Sequence, residues 1–305
     1  MRYAFILALV MLAGISAAWA NDANKEMMDA RYDYVACDVD YAEEWLAMRE
    51  GCGEENGVEV FDSSSYVDDL NDDLEDLAEA RDENRPFEFG LGMVQMAADS
   101  LRLVGRVVQD AFDHKNGPFF SCVRDGETPL MDDRDQCRDR AMEKAREASR
   151  HYVQNELEYA EGQIDDMDAL GADTSGMERV AGDGEELLDD LDPAFDSGDP
   201  QELRKLHMRN FRLVLLFRAE KMLATIDYAR PIIEDSQNGN KEEVLDRMDS
   251  LQEDVEDYLD ACAYSESVGN PNEYSRENLE CWDGGIDLFQ EFNSIRALII
   301  GGAFS

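Results

Sequence analysis

The chain has 305 residues, of which 71 are acidic and 28 are basic, so it carries a formal charge of −43 at pH 7. Hydrophobic residues make up 44% of the sequence, which is enough to build a core and argues against wholesale disorder. Phosphate backbones and anionic lipid headgroups repel so negative a chain. The composition therefore argues strongly against nucleic acids and anionic lipids as partners.

Residues 1–20 predict a secretory signal. Arg2 precedes an apolar run over residues 4–15, and Ala18 and Ala20 form a cleavage site of the A-x-A type. The apolar run is shorter than the ~20 residues that a membrane-spanning helix needs. We therefore expect cleavage after Ala20, a mature charge of −44, no membrane span after signal removal, and a periplasmic or extracellular location.

The mature chain shows the periodicity of amphipathic helices. Apolar residues recur at intervals of three and four, and no sustained two-residue alternation indicates strands. We predict an all-α fold: an elongated antiparallel helical bundle, or stacked helical hairpins, with local disulfides. We expect an N-terminal region over residues 21–120 and a C-terminal region over residues 121–305, packed as one elongated unit. The predicted helices cover residues 23–50, 65–83, 86–112, 132–170, 174–195, 200–235, 241–263 and 274–300.

Local signals fix several of these helix boundaries. Pro86 is well placed as the first residue of the third helix, because a proline there loses no helical hydrogen bond. Turn-forming residues predict a loop over residues 113–131. Asp199, Pro200 and Glu202 have the order of an N-cap, a first-turn proline and a capping glutamate, which predicts that a helix starts there.

The third predicted helix has a continuous apolar stripe, which we expect to face the core. Its members are Phe87, Leu91, Val94, Ala98, Leu101, Gly105, Val108 and Phe112. The tail over residues 297–304 is also apolar but too short to span a bilayer. We expect this tail to end the last helix and to pack into the core, or else to dock on another subunit.

Six cysteines in an exported chain predict three disulfides rather than a metal cluster, because the compartment is oxidising and no C-x-x-C pair occurs. Spacing favours pairing in chain order: Cys37 with Cys52, Cys122 with Cys137, and Cys262 with Cys281. One uninterrupted helix would hold Cys37 and Cys52 ~22 Å apart, beyond the ~7 Å limit for a bridge. Either the first helix ends before Cys52, or Cys37 bonds elsewhere.

Charged residues are unevenly distributed. Bases concentrate in residues 134–150 and 204–221, whereas acids dominate residues 62–83 and 156–199. We expect basic helix faces to pack beside acidic ones, which offsets part of the self-repulsion. The remaining excess of acids, together with only six lysines, indicates adaptation to a salt-rich environment.

Familiar catalytic and metal-binding patterns do not occur. The nearest calcium-loop candidate, residues 166–171, lacks one oxygen ligand and is followed by Met177 where the loop needs a glutamate. His114, His151 and His207 lie far apart in sequence. No nucleophile elbow or phosphate-binding loop is present. We expect no catalytic residues, no cofactor and only weak nonspecific association of cations.

These observations predict an exported, acidic, non-enzymatic binding or structural component of the cell envelope or extracellular space. Its expected partner is a protein, either a basic one, one that recognises an apolar helix stripe, or a second copy of the chain. Two alternatives stay open. One is a cation-binding exported protein of the calcium type, and the other is a hydrolase with a raised-pKa carboxylate beside an arginine in a deep pocket.

Overall fold

The computed structural model describes residues 21–113, 117–235, 240–263 and 271–303, and in these ranges it contains eight α-helices and no strands. The predicted all-α class is confirmed. The predicted signal over residues 1–20 lies outside the described residues. The helices are α1 (Asn21–Asn56), α2 (Ser64–Asp82), α3 (Pro86–Asp113), α4 (Pro118–Ala169), α5 (Ser175–Ser197), α6 (Pro200–Glu234), α7 (Lys241–Cys262) and α8 (Pro271–Ala303).

The predicted helix starts at the two clearest capping signals are confirmed. Pro86 is the first residue of α3. Asp199 caps α6, and its side chain accepts a hydrogen bond from the backbone N–H of Gln201 at 2.9 Å. A carboxylate at this position satisfies one of the N–H groups that a helix leaves unpaired in its first turn.

The predicted loop over residues 113–131 is wrong, because α4 begins at Pro118 and continues through Pro129. A proline inside a helix removes a hydrogen bond and costs about 3 kcal/mol, so the sequence alone favours a break here. Close packing against α1 opposes that break. Gly126 lies so near Met48 that an added Cβ would come within 3.0 Å of the Met48 side chain.

The first helix also extends past its predicted end at residue 50. α1 continues to Asn56, whose side-chain amide donates to the carbonyl of Cys52 at 2.8 Å. Gly57 then adopts φ +62°, the left-handed conformation that glycine tolerates at a helix C-terminus. The chain therefore keeps Cys52 on α1, on the same helix as Cys37.

The chain folds into two compact units, one up to Tyr152 and one from Val153. The predicted boundary at residue 120 falls inside the first unit. In that unit α1, α2 and α3 enclose an apolar core. Gly92 of α3 lets the helices approach, because an added Cβ would lie 2.9 Å from Cδ2 of Leu77. The core residues include Val39, Leu46, Leu70, Leu77, Phe89, Met93 and Met96.

In the second unit α5 packs against α6, α6 against α7, and α7 against α8. The predicted helical hairpins account for this order. Gly184 is buried in α5, and an added Cβ there would lie 2.8 Å from Cδ2 of Leu157 in α4. The phenol of Tyr258 in α7 donates to the carbonyl of Cys281 in α8 at 3.0 Å. Buried residues of this unit include Met177, Leu187, Leu216, Ala224, Val244, Met248, Leu251 and Val255.

Candidate interaction surface

Two disulfides join α1 to α4. Cys37 is bonded to Cys137 and Cys52 to Cys122, with a Cα–Cα distance of 5.8 Å in both. The predicted pairs Cys37–Cys52 and Cys122–Cys137 are therefore wrong. The two members of each predicted pair lie on one continuous helix, where fifteen steps of 1.5 Å hold them ~22 Å apart. The third predicted pair, Cys262 with Cys281, is confirmed and links α7 to α8, with its Cα atoms 5.7 Å apart.

The two disulfides between α1 and α4 set an antiparallel register, and charged side chains of the two helices pair in the same register. As residue numbers rise along α1, the partners on α4 fall. The expectation that basic faces pack beside acidic ones is confirmed for this helix pair. The contacts in this register are Arg138 with Asp38 at 2.6 Å, Lys144 with Asp33, and His151 Nδ1 with Glu26 Oε2 at 2.7 Å.

The apolar stripe of α3 faces solvent, and the prediction that it faces the core is wrong. Leu91 is 56% exposed, Val94 53%, and Leu101 and Val108 46% each. Ala98 and Gly105 lie between them in the same row. We call these six residues the α3 stripe. The side chains of Phe87 and Phe112, at the ends of the predicted stripe, lie outside the described residues.

A second row of apolar residues makes the core contacts of α3. The buried residues of this row are Phe89, Met93, Met96, Ala97 and Leu103. α3 therefore carries apolar side chains on two faces, and the described residues cover one of them. Contiguous exposed apolar rows are uncommon on monomeric proteins and typically mark interaction sites.

The segment that carries the α3 stripe is not acidic, like the base-rich residues 204–221 and unlike most of the chain. Residues 90–109 contain two bases, Arg102 and Arg106, and one acid, Asp99, so this segment has a net charge of +1. The Asp99 side chain is buried and forms an ion pair with Arg102. The segment itself therefore carries a small positive charge, while the carboxylates of Asp69, Asp73 and Asp76 on α2 lie near Asp99.

Comparison with protein-family models, curated proteins and solved structures finds no match for this chain.

Metal-ligating side chains are scattered over the described ranges. Among the described residues, no group of three or more His, Cys, Asp or Glu side chains is placed to hold a metal ion. His114 lies outside these ranges, and residues 166–171 form the end of α4 and the turn after it. Within the described part of the chain, no helix combines the length and apolarity needed to cross a membrane.

Two carboxyl groups meet where α2 packs on α3. Burial, followed by the nearby carboxylate of Asp99 and those of Asp76 and Asp69, raises the pKa of Asp73 to about 6. Asp99 also accepts a hydrogen bond from Gln95 at 2.6 Å and pairs with Arg102. Burial and these neighbouring carboxylates therefore favour the protonated form of Asp73.

We expect Asp73 to make the first unit less stable as pH rises. A carboxyl whose pKa is higher in the folded state binds its proton more tightly there, so its stabilising effect is complete below about pH 4 and is lost by about pH 6. Asp73→Asn should therefore raise the free energy of unfolding more at pH 7 than at pH 4, measured by urea unfolding at both values. The exposed Asp72→Asn is the matched control, and equal effects of the two substitutions would contradict this assignment.

Two leucines on α3 test which face is covered. Leu103 is 6% exposed and Leu101 is 46% exposed, two residues apart on the same helix. We expect Leu103→Ala to cost roughly 2–5 kcal/mol of unfolding free energy, and Leu101→Ala less than about 1 kcal/mol. Both changes have the same effect on helix propensity, so urea unfolding compares burial alone. A larger loss of unfolding free energy from Leu101→Ala than from Leu103→Ala would mean that the stripe faces the core, as the sequence predicts.

Proposed function

We propose that this protein is a non-enzymatic binding component that recognises another protein through the α3 stripe. The observation that carries the proposal is the row of four large apolar side chains, Leu91, Val94, Leu101 and Val108, each about half exposed on one helix face. Burying such a row against a partner removes apolar surface from water, which is the main favourable term in most protein associations.

The charge distribution supports a protein partner over the other classes. The stripe lies in a segment of net charge +1, whereas the whole chain carries −43. A partner that docks at the stripe meets a segment with one acid and two bases, which does not add to the repulsion that the acid-rich segments exert on acidic molecules. The overall charge opposes nucleic acids and anionic lipid surfaces, so neither class belongs to the proposal.

We propose in addition that the protein works outside the cytoplasm, in the periplasm or the extracellular space, without a cofactor. Three disulfides are compatible with an oxidising compartment and unusual in a reducing one. The signal-like residues 1–20 support export on sequence grounds.

The test compares partner recovery by matched variants in the exported protein fraction of the source cells. Leu101→Glu places one charge at a stripe leucine that is 46% exposed, whereas Leu170→Glu places one at a leucine that is 54% exposed and outside the stripe. Quantitative mass spectrometry should show partners that the wild type and Leu170→Glu retain and the stripe variant loses. Identical recovery by all three proteins would contradict binding through α3.

A further inference from the structure

The α3 stripe has the repeat of a coiled-coil seam. Its members alternate at intervals of three and four residues from Leu91 to Val108, which gives a strict seven-residue repeat. In heptad notation Leu91, Ala98 and Gly105 occupy the a positions, and Val94, Leu101 and Val108 occupy the d positions. Such a repeat keeps one apolar row in line with a second helix that supercoils around the first. The expected occupant of the stripe is therefore another helix.

The stripe is complementary to itself in the antiparallel direction. When two copies of α3 run antiparallel about a centre between residues 99 and 100, an a position of one copy meets a d position of the other. The facing pairs are Leu91 with Val108, Val94 with Gly105, and Ala98 with Leu101. Two of these three pairs set a large side chain opposite a small one, which lets neighbouring layers interdigitate. A parallel in-register pair would instead place Gly105 opposite Gly105 and leave a gap.

We propose that two copies of this chain pair through antiparallel α3 stripes. The proposal rests on the function proposed above and names a second copy as the partner. The symmetry is that of an isologous dimer, in which the same patch of both copies forms the interface.

Charge permits self-association through this face but does not single it out, because residues 204–221 hold six bases and one acid. Each chain carries −43, so most surfaces of two copies repel each other, whereas residues 90–109 carry +1. The acids of the rest of the chain still oppose the approach, including Asp69, Asp73 and Asp76 of α2, which lie near Asp99. Salt screens this repulsion over ~3 Å at 1 M compared with ~30 Å at 0.01 M. The dimer should therefore strengthen as salt rises.

The size of the face sets the strength of the contact. From Leu91 to Val108 the seam runs ~26 Å, and a helix with side chains is ~10 Å wide. The resulting footprint of roughly 260 Å² is well below the ~800 Å² per partner of a standard stable interface. The dimer is accordingly weak and reversible, and it depends on protein concentration.

Sedimentation equilibrium of the full chain tests the pairing at 0.01 M and 1 M NaCl. For the wild type we expect the dissociation constant of the dimer to be lower in 1 M than in 0.01 M salt, by about tenfold or more. At 1 M salt we expect Leu101→Glu to raise it about tenfold or more, because each dimer would bury two unpaired carboxylates. Leu170→Glu, which adds the same charge at an exposed leucine outside the stripe, should leave it within about twofold. A monomer under all conditions, or equal effects of both substitutions, would overturn the proposal.

Spin labels test the direction of pairing. All six cysteines form disulfides, so Gln109→Cys supplies a unique labelling site. In the antiparallel pair residue 109 lies opposite Gly90 of the second copy, which separates the two labels by ~28 Å along the axis. In a parallel pair they would lie about one interhelical distance apart, ~10 Å. A short label distance, or no dipolar coupling at 1 M salt, contradicts the antiparallel dimer.

Failure of the dimer can be told apart from failure of the proposed function. If the wild type is monomeric but Leu101→Glu still loses partner recovery, the second copy is ruled out and a different protein partner is retained. If the wild type is monomeric and the stripe variant recovers the same partners as the wild type, both the dimer and binding through the α3 stripe are ruled out. A wild-type dimer that Leu101→Glu disrupts supports the pairing, whether partner recovery is lost or unchanged.

Discussion

Replacing Cys37 and Cys137 together with alanine should leave no free thiol, whereas replacing Cys37 and Cys52 together should leave two. The first substitution removes both ends of one bond, and the second removes one end of each α1–α4 bond. The orphaned Cys122 and Cys137 lie ~22 Å apart along α4 and cannot bond to each other while that helix stays intact. Thiol titration of the denatured proteins distinguishes the outcomes. Pairing in chain order would give the reverse result.

The same bonds should carry much of the stability of the first unit. They close nested loops of 100 and 70 residues, and in the chain-entropy account their joint loss costs about 8 kcal/mol. That is a large share of the roughly 5–15 kcal/mol that stabilises a typical domain. Alanine at all four α1–α4 cysteines should therefore leave the first unit unfolded, or melting far below the second.

Calorimetry can separate this effect from a general weakening. The control is alanine at Cys262 and Cys281, a pair that closes 19 residues in the second unit and should cost about 3 kcal/mol. We expect the four-cysteine variant to lose the transition of the first unit and the control to shift only that of the second. Equal shifts in both variants would contradict the role assigned to the α1–α4 bonds.

Salt should raise the melting temperature of the protein by about 10 °C. It relieves several kcal/mol of carboxylate repulsion, and each kcal/mol shifts the melting temperature of domains of this size by about 2–4 °C. The α1–α4 ion pairs neutralise a few acids, but the net charge of −43 remains. Circular dichroism melts from 0.01 M to 1 M NaCl measure the change.

The shape of the salt dependence identifies its cause. The Debye length falls most between 0.01 M and 0.15 M salt, from ~30 Å to ~8 Å, so most of the rise should occur there. Stabilisation by exclusion of solutes from the surface grows instead at high concentration and also appears with uncharged sucrose. A melting temperature that is flat below 0.15 M would contradict repulsion as the dominant effect.

Within the described ranges, the number of helices and most of their boundaries could be predicted because the responsible signals are local. Three-and-four spacing marks amphipathic helices, and Pro86 and Asp199 satisfy or remove the unpaired N–H groups of a first helical turn. The start of α4 could not be predicted in this way. Pro129 and Gly126 both favour a loop, and the packing of Gly126 against Met48 involves a residue 78 positions earlier.

The error in helix boundaries led to the error in disulfide pairing. Cys122 and Cys137 can bond to each other only if a loop separates them, and the sequence predicted one. Because α4 is continuous from Pro118, the distance argument against a Cys37–Cys52 bond applies equally to a Cys122–Cys137 bond. Each of these four cysteines must then find a partner on the other helix, and the equal spacing of the two sets fits an antiparallel pair.

Helical periodicity alone could not predict which face of α3 is buried. The exposed row and the buried row both repeat at helical intervals, so each reads as a core stripe on its own. Gly92 distinguishes them, because it lies on the buried side and lets Leu77 of α2 approach. The strict seven-residue repeat of the exposed row is the second signal, since it is typical of a seam between helices.

Carbene footprinting of the isolated chain, dilute and in low salt, measures which row of α3 is exposed to solvent. We expect strong labelling of Leu91, Val94, Leu101 and Val108 on the α3 stripe and weak labelling of Met93 and Leu103 on its buried row. The opposite pattern, or protection of both rows, would show that this chain already covers the stripe and leaves no surface there for a partner.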